Sequence, residues 1–299
     1  GMIMVEHSDG PMAPTAEICA ETLKHVWSSS WIADRDPYKA PVLWRNEMYE
    51  EGKKYRIGYY TDDGWFTATP GCVRVVKEAK EKLERMGHTL VPFSPPDVPE
   101  MLRVLFGCLA LDGGAQLIDS IVDDIAPPIF LSSFFTLRLP IIVQRAIAMV
   151  ADLFGQSRFA KFGRSVPMNI AELRANYTWI QIYRLRFVEA MKKANVDVLL
   201  CPANVFPAPA HEAPLLVTPA ASYTALFNLL DFGAGVTKAG TWSEEDEKAL
   251  EQYPTSDKWY TMAKEFSKDS IGLPLGVQVA APPFHEEAML RVLVDIEKG

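Results

Sequence analysis

Cysteine and histidine are the commonest ligands of a structural zinc ion, and paired cysteines could form disulfides. The four cysteines, Cys19, Cys72, Cys108 and Cys201, lie far apart, with no Cys-x-x-Cys pair and no histidine at ligand spacing. This spacing predicts no metal site. Four cysteines could form two disulfides, but scattered cysteines in a chain of this size are typical of reduced core residues, and we expect that state.

The sequence lacks the glycine-rich loop that would bind the phosphates of a nucleotide. A nucleotide site would need a GxGxxG loop after the first strand, and the residues at 61–71 read TDDGWFTATPG instead. The net charge of −8 argues against a nucleic-acid binder, which normally presents a basic face. The sequence therefore predicts no cofactor and no nucleic-acid partner.

The elements that would position a site are those of an α/β protein. Runs typical of strands at 55–60 and 89–93 flank a helix that starts at Pro70 and is closed by Gly87. This order predicts a βαβ unit with a parallel pair of strands. Further helices are predicted at 16–27, 99–123, 171–194, 222–230 and 286–298, the last one amphipathic. Buried strands are predicted at 196–201 and 275–280. We expect a break at 231–235 and an exposed acidic segment at 241–260.

The stretch 127–155 is unusually apolar, with only three charged residues: Arg138, Arg145 and Asp152. Pro140 divides it, and neither half reaches the roughly 20 apolar residues that a membrane span needs. A basic cluster follows it: Arg158, Lys161 and Arg164. One interpretation is a helical cap with its apolar face in one leaflet and its cations at the headgroups. The other is a buried helical hairpin with an ordinary surface cluster beside it.

The order of short segments along the chain resembles the amidase signature family, and within it the fatty acid amide hydrolase branch. The segments are SDGPMA at 8–13, YRIGYY at 55–60, GHTLVPF at 87–93, LRLP at 137–140, VDVLLCP at 196–202, SYTALFNLLDFGAGV at 222–236 and SIGLPLGVQVAAPP at 270–283. The resemblance implies a mixed β-sheet flanked by helices. It also implies one incomplete domain over 1–299, with the apolar cap inserted at about 127–166.

The family cleaves amide bonds with a serine nucleophile, a second serine on a cis peptide and a lysine as general base. In the family these residues precede the segment that matches 8–13. Serines are adjacent here only at 28–30 and 132–133, and neither run is flanked by glycines. We interpret 28–30 as a loop that ends a helix. We therefore expect a C-terminal portion without the catalytic residues. His7, His25, His88, His211 and His285 match no role in the family's chemistry, and we expect ordinary surface or core histidines.

The resemblance does carry over to substrate-binding positions. Those that would line an acyl channel are Leu117, Phe162, Val166, Thr218, Ala221, Ala225 and Trp259. Those that would form the membrane cap are Ile129, Phe130, Phe134, Phe135, Leu139, Ile141, Ile142 and Ile147. Ala221 and Ala225 are smaller than the family's usual residues and Leu117 replaces an aromatic, which would widen or reshape the channel. A plain core role remains open for each channel position.

Three functions stay open at this point. The chain is part of a hydrolase for fatty acid amides, or it is an inactive lipid-binding protein that associates with membranes. A nucleotide-binding α/β protein is the weakest alternative, because it lacks a phosphate loop. The expected partners are a lipid amide or fatty acid, a membrane surface, and a second copy or the missing N-terminal half. We expect an intracellular protein, peripheral or monotopic on a membrane, or cytoplasmic if the cap is buried.

Overall fold

A computed structural model describes residues 4–5, 10–35, 42–109, 111–112, 115, 119, 139–211 and 216–299. These residues form a five-stranded mixed sheet with helices packed around it, in the strand order β2-β1-β3-β5-β4. The strands are β1 Arg56–Tyr59, β2 Thr89–Pro92, β3 Val198–Pro202, β4 Gly233–Thr241 and β5 Pro274–Ala281. The predicted fold class, a mixed sheet flanked by helices, is confirmed.

The described helices include all those that the sequence predicts outside the gaps. They are α1 Ala16–Ser28, α2 Ser30–Ala33, α3 Asn46–Tyr49, α4 Pro70–Arg85, α5 Val98–Leu109, α6 Ile141–Leu153, α7 Ser157–Gly163, α8 Ile170–Ala194, α9 Ser222–Leu230, α10 Glu244–Ala249, α11 Lys258–Phe266 and α12 Glu286–Lys298. Two 3₁₀ turns lie at Thr218–Ala221 and Leu250–Gln252. The helix predicted at 99–123 is confirmed only as far as Leu109, since most of the rest lies outside the described residues. None of the described helices combines the length and apolar character needed to cross a bilayer.

The predicted βαβ unit is present. β1 and β2 are parallel, with Ile57 opposite Leu90. Pro70 occupies the first turn of α4, where its missing N–H leaves no hydrogen bond unmade. Gly87 follows the helix at a φ of +92°, a conformation that glycine adopts without a steric penalty.

β3 is the centre of the sheet. All five of its residues are buried, and it pairs in parallel with β1 and antiparallel with β5. Because β1 and β3 are parallel, the segments that follow them, starting at 60 and 203, leave the sheet at the same edge.

The structure contradicts the break that the sequence predicted at 231–235, because β4 begins at Gly233. The strand pairs antiparallel with β5 from Gly233 opposite Ala281 to Thr241 opposite Pro274. Glycine usually weakens a strand, so the glycines in this stretch did not indicate one. A Cβ at Gly235 would lie 2.5 Å from Cδ1 of Leu293, so the missing side chain is what lets α12 pack closely on the strand.

The helix predicted at 286–298 is present as α12, and it is buried more completely than an amphipathic pattern indicates. Its residues from Glu287 to Ile296 are all buried, because it packs against β4 and β5 as well as α1, α3 and α4. Its buried charges are paired: Arg291 donates to Asp295 at 2.5 Å, and Nε2 of His88 lies 3.1 Å from the other Asp295 carboxylate oxygen.

The acidic segment at 241–260 is also less exposed than predicted, since Trp242, Asp246 and Tyr253 are buried. Asp246 forms a capping box with Ser243 at the start of α10. The same carboxylate accepts hydrogen bonds from Arg74 of α4, at 2.7 Å for the shortest. One carboxylate of this acidic segment therefore has a structural role, because Asp246 joins α4 to α10.

All four cysteines lie within the described residues and none is in a disulfide. Cys72, Cys108 and Cys201 are buried and Cys19 is half-buried. The prediction of reduced cysteines is confirmed.

We expect Asp295→Ala to lower the free energy of unfolding by about 3–5 kcal/mol, because it leaves the buried Arg291 without its carboxylate. Urea unfolding measures the change. The control is Glu265→Ala, which removes an exposed ion pair with Lys268 and should leave stability almost unchanged. Equal losses in the two variants would contradict the prediction.

Candidate functional site

Phe162 and Trp259 are two predicted channel residues that pack against each other. Their ring centroids are 5.9 Å apart and the ring planes meet at 86°. Phe162 lies on α7 and Trp259 on α11, so the contact joins the helix after the apolar stretch to the body of the protein. Edge-to-face packing of this kind is favourable beyond the area that it buries.

The predicted channel residues differ in burial. Trp259 and Ala225 are buried, Phe162, Val166 and Thr218 are half-buried, and Ala221 is exposed. Leu117 lies outside the described residues, as do the predicted cap residues Ile129, Phe130, Phe134 and Phe135. The channel assignment of these positions stays a prediction.

Trp65 and Phe159 extend the contact between Phe162 and Trp259 into what we call the aromatic wall: Trp65, Phe159, Phe162 and Trp259. The Trp65 and Phe159 ring centroids lie 6.1 and 6.0 Å from that of Trp259. Phe106 of α5 packs behind Phe162, at 4.7 Å between centroids. Sequence reasoning missed Trp65, Phe159 and Phe106, since nothing in their spacing marks them.

Trp65 also brings the 3₁₀ turn Thr218–Ala221 to the wall. Its indole N–H donates to the carbonyl oxygen of Pro219 at 3.2 Å. This hydrogen bond joins the segment after β1 to the segment after β3. Because Thr218 directly precedes Pro219 in the chain, it also lies near the wall.

A cavity of about 560 Å³ lies beside the aromatic wall. Its lining residues are Ala151, Gln156, Phe159, Leu216, Asp257, Lys258, Trp259 and Met262. Mostly apolar pockets of a few hundred cubic ångströms with a few polar groups are typical of small-molecule sites. This cavity could hold an apolar chain.

The three cations of the basic cluster after the apolar stretch are not left free for lipid headgroups, as one interpretation of the sequence expected. Arg158 pairs with Asp257 at 2.5 Å, Lys161 with Glu100 at 3.2 Å, and Arg164 with Asp152 at 2.9 Å. Each cation therefore has an acidic partner within the chain. The sequence could not show this, because two of the three partners lie far away along the chain.

The segment after α7 lies unusually close to α5. A Cβ at Gly107 would lie 2.3 Å from the carbonyl oxygen of Ser165, so only glycine allows this approach. Nη2 of Arg145 donates to the carbonyl oxygen of Val166 at 3.1 Å. These contacts hold the chain at Val166 between α5 and α6.

α6 carries an exposed apolar face. Ile142 is 71% exposed and Leu153 and Phe154 are 80% and 79% exposed. Of the predicted cap residues on or next to this helix, Ile147 is also exposed, whereas Leu139 and Ile141 are half-buried. Large apolar side chains grouped in this way mark a surface that contacts protein or lipid.

A buried carboxyl group lies next to the wall. Asp63 accepts the backbone N–H groups of Trp65 and Phe66, both at 2.8 Å. Burial raises its pKa to about 6, although the hydrogen bonds that it accepts limit the rise. Asp63 thus fixes the turn that presents Trp65, and its charge changes near neutral pH.

The adjacent serines and the histidines form no catalytic group among the described residues. α1 ends at Ser28 as predicted, but 28–30 is not a loop, because Ser29 caps α2 and Ser30 is its first residue. Residues 132–133 lie outside the described residues. His88 is buried against Asp295, and His25, His211 and His285 are exposed, as expected of ordinary histidines; His7 is outside the described residues. Within the described ranges, no three His, Cys, Asp or Glu side chains are grouped to hold a metal.

A second, larger groove of about 1180 Å³ runs along β4. Its lining comes from α1, the segment before it, α9, β4 and α12. On the side of β4 away from β5, no strand of the described chain pairs with it. Val236 in the middle of this strand is 56% exposed.

The amidase family model matches residues 2–290. The chain belongs to the amidase family. Its predicted resemblance to fatty acid amide hydrolases is confirmed by sequence. It is 42% identical over 99% of its length to fatty acid amide hydrolase 1 of Caenorhabditis elegans, covering 52% of that protein. It is 34% identical over its full length to fatty-acid amide hydrolase 1 of Sus scrofa, again covering 52%.

A solved structure of a fatty acid amide hydrolase has the same fold. It aligns with the whole of this chain at a TM-score of 0.74 and 20% identity, and the alignment covers 49% of that protein. At this identity the likeness establishes the fold alone. The chain spans about half the length of these amidases.

We expect the stability of this amidase chain to fall as the pH rises from about 4 to 6, because the pKa of Asp63 is raised from an ordinary 3.8 to about 6. The ionised form therefore destabilises the fold, by at most about 3 kcal/mol above pH 6. Asp63→Asn keeps the acceptor for Trp65 and Phe66 and should remove this contribution, raising stability at pH 8.

Urea unfolding of both proteins at several pH values measures the difference. The matched control is Glu189→Gln, which removes the charge of an exposed carboxylate on α8 and should leave the slope between pH 4 and 6 unchanged. If Asp63→Asn retains the wild-type slope, the assignment to Asp63 is wrong.

Proposed function

We propose that this chain is part of a serine hydrolase of long-chain fatty acid amides and contributes the acyl-binding wall and half of the sheet. The observation that carries the proposal is the 42% identity to fatty acid amide hydrolase 1 of Caenorhabditis elegans over 99% of the chain. The aromatic wall and its 560 Å³ cavity provide an apolar surface suited to an acyl chain. Each methylene buried there would contribute about 0.8 kcal/mol to binding.

The chain by itself should not hydrolyse amides. Its sequence contains no Gly-Ser-Ser run that could supply the family's serine pair. Hydrolysis would then need these residues from the half of the relatives that this chain does not cover. The groove along β4 is suited to contact that half, because a strand edge left unpaired within the described chain offers backbone donors and acceptors to another strand.

We expect the purified 299-residue chain to release no fluorophore from a fluorogenic long-chain acyl amide. It should also not react with a fluorophosphonate probe, which labels activated serines. Co-expression with the part of the Caenorhabditis elegans enzyme that this chain does not cover should restore hydrolysis.

The control is that part of the enzyme expressed alone. A labelled serine in the isolated chain would show that it carries a nucleophile. A co-expressed pair no more active than the two separate proteins would argue against a shared active site.

A second function, lipid binding at a membrane, is favoured by the exposed apolar face of α6. Because Arg158, Lys161 and Arg164 are paired with carboxylates, attraction to anionic headgroups would contribute little. Insertion of apolar side chains would dominate, as in helices that lie in the membrane interface. Binding driven in this way depends weakly on salt.

We expect the chain to float with uncharged phosphatidylcholine vesicles, and Ile142→Asp to reduce the bound fraction about tenfold or more, since it places a charge in the apolar face. The measurement is vesicle flotation at low and high salt. The matched control is Leu185→Asp, which adds the same charge to an exposed position on α8, 69% exposed and outside 127–166. Equal effects of the two variants, or binding that high salt abolishes, would contradict the prediction.

A further inference from the structure

Arg158, in the first turn of α7, uses its whole guanidinium group in contacts with the body of the protein. Nε and Nη2 donate to the two carboxylate oxygens of Asp257, at 2.5 and 2.6 Å. Nη1 donates to the carbonyl oxygen of Trp65 at 2.7 Å. A two-pronged pair of this kind fixes orientation as well as distance, which a lysine could not do.

Aromatic rings surround the same group. Cζ of Arg158 lies 4.0 Å from the ring centroid of Tyr260 and 4.4 Å from that of Phe66. It lies 5.7 and 6.0 Å from the centroids of Trp65 and Trp259. The Arg158 side chain is only 15% exposed, so attraction between the cation and the rings is weakly screened. Arg158 thus contacts two members of the aromatic wall.

Asp257 places this ion pair at the start of α11, two residues before Trp259. Its carboxylate also caps the helix by accepting the N–H of Tyr260 at 2.9 Å, and the residue lines the 560 Å³ cavity. Burial acts to raise the pKa of Asp257, but the hydrogen bonds from Arg158 and the backbone outweigh it and leave the pKa below its ordinary value. The carboxylate is therefore charged at neutral pH.

We propose that Arg158 is a positioning residue for the acyl chain. By fixing Asp257 and Trp259, which both line the cavity, it sets the width of the cavity and so the longest chain that the cavity accepts. Each of its three nitrogens already has a protein acceptor, so Arg158 acts through the rings and does not bind the ligand. This inference rests on the proposed function, because the ligand is taken to be a long fatty acyl group.

The test is competition between a fluorescent fatty acid and saturated fatty acids of about 8 to 20 carbons, for which each enclosed methylene should tighten binding about fourfold. In the wild-type chain the affinity should stop rising at one chain length, where the cavity is full; we call this chain length the break. Arg158→Met should move the break by about two carbons or more. It should also weaken binding of the fatty acid at the wild-type break about tenfold, because the wall is no longer fixed. Arg158→Lys, which keeps the charge without the fork, should give an intermediate result.

The matched control is Arg164→Met, which removes another arginine of the same segment whose ion pair with Asp152 is exposed. It should keep the wild-type break. If Arg158→Met also keeps the wild-type break, the proposal is overturned, whatever its effect on stability.

A second measurement separates this inference from the proposed function. Amide hydrogen exchange in α7 and α11 should rise about tenfold in Arg158→Met, with α12 unchanged, since Arg158 contacts α11 and the segment of Trp65 and Phe66 but not α12. Unchanged exchange would overturn the positioning role. A wild-type chain that binds none of the fatty acids would reject the proposed function and the chain-length claim, while the exchange result would still decide whether Arg158 fixes the wall.

Discussion

The burial of β3 between β1 and β5 is the constraint on which the rest of the structure depends. Every residue of this strand is enclosed, and it changes the sheet from parallel pairing on one side to antiparallel pairing on the other. Parallel pairing with β1 sends the chain after each strand to the same edge of the sheet. Trp65 and Pro219, 154 residues apart, meet there. The aromatic wall therefore follows from the topology as much as from the residues that form it.

Much of the fold could be predicted from the sequence where local signals agree with the final structure. Pro70 and Gly87 bound α4 because proline and glycine act on the backbone locally. β4 could not be predicted in this way, since Gly235 serves a contact with Leu293 that lies 58 residues further on. The helix α12 was predicted, but its depth of burial was not: Glu287, Arg291 and Asp295 are buried because Arg45, Arg291 and His88 provide partners for the two carboxylates.

The candidate site divides in the same way. The resemblance to a family directed attention to Phe162 and Trp259, and the structure brings their rings together. Arg158 was seen only as one of three cations near an apolar stretch. Its partner is Asp257, 99 residues away, and no composition or spacing records such a pair. Charges that look available in a sequence are neutralised here by the fold, which leaves an apolar surface with few free cations beside it.

The different burial of the four cysteines has a practical consequence. Burial raises the pKa of the Cys72 and Cys201 thiols to about 12 and that of Cys108 to about 11, so these three are almost entirely protonated at neutral pH and enclosed as well. Cys19 is less enclosed and lines the groove beside β4. The sequence thus provides one thiol suited to a fluorescent or spin label, and a probe there would report on the groove beside the outer strand of the sheet.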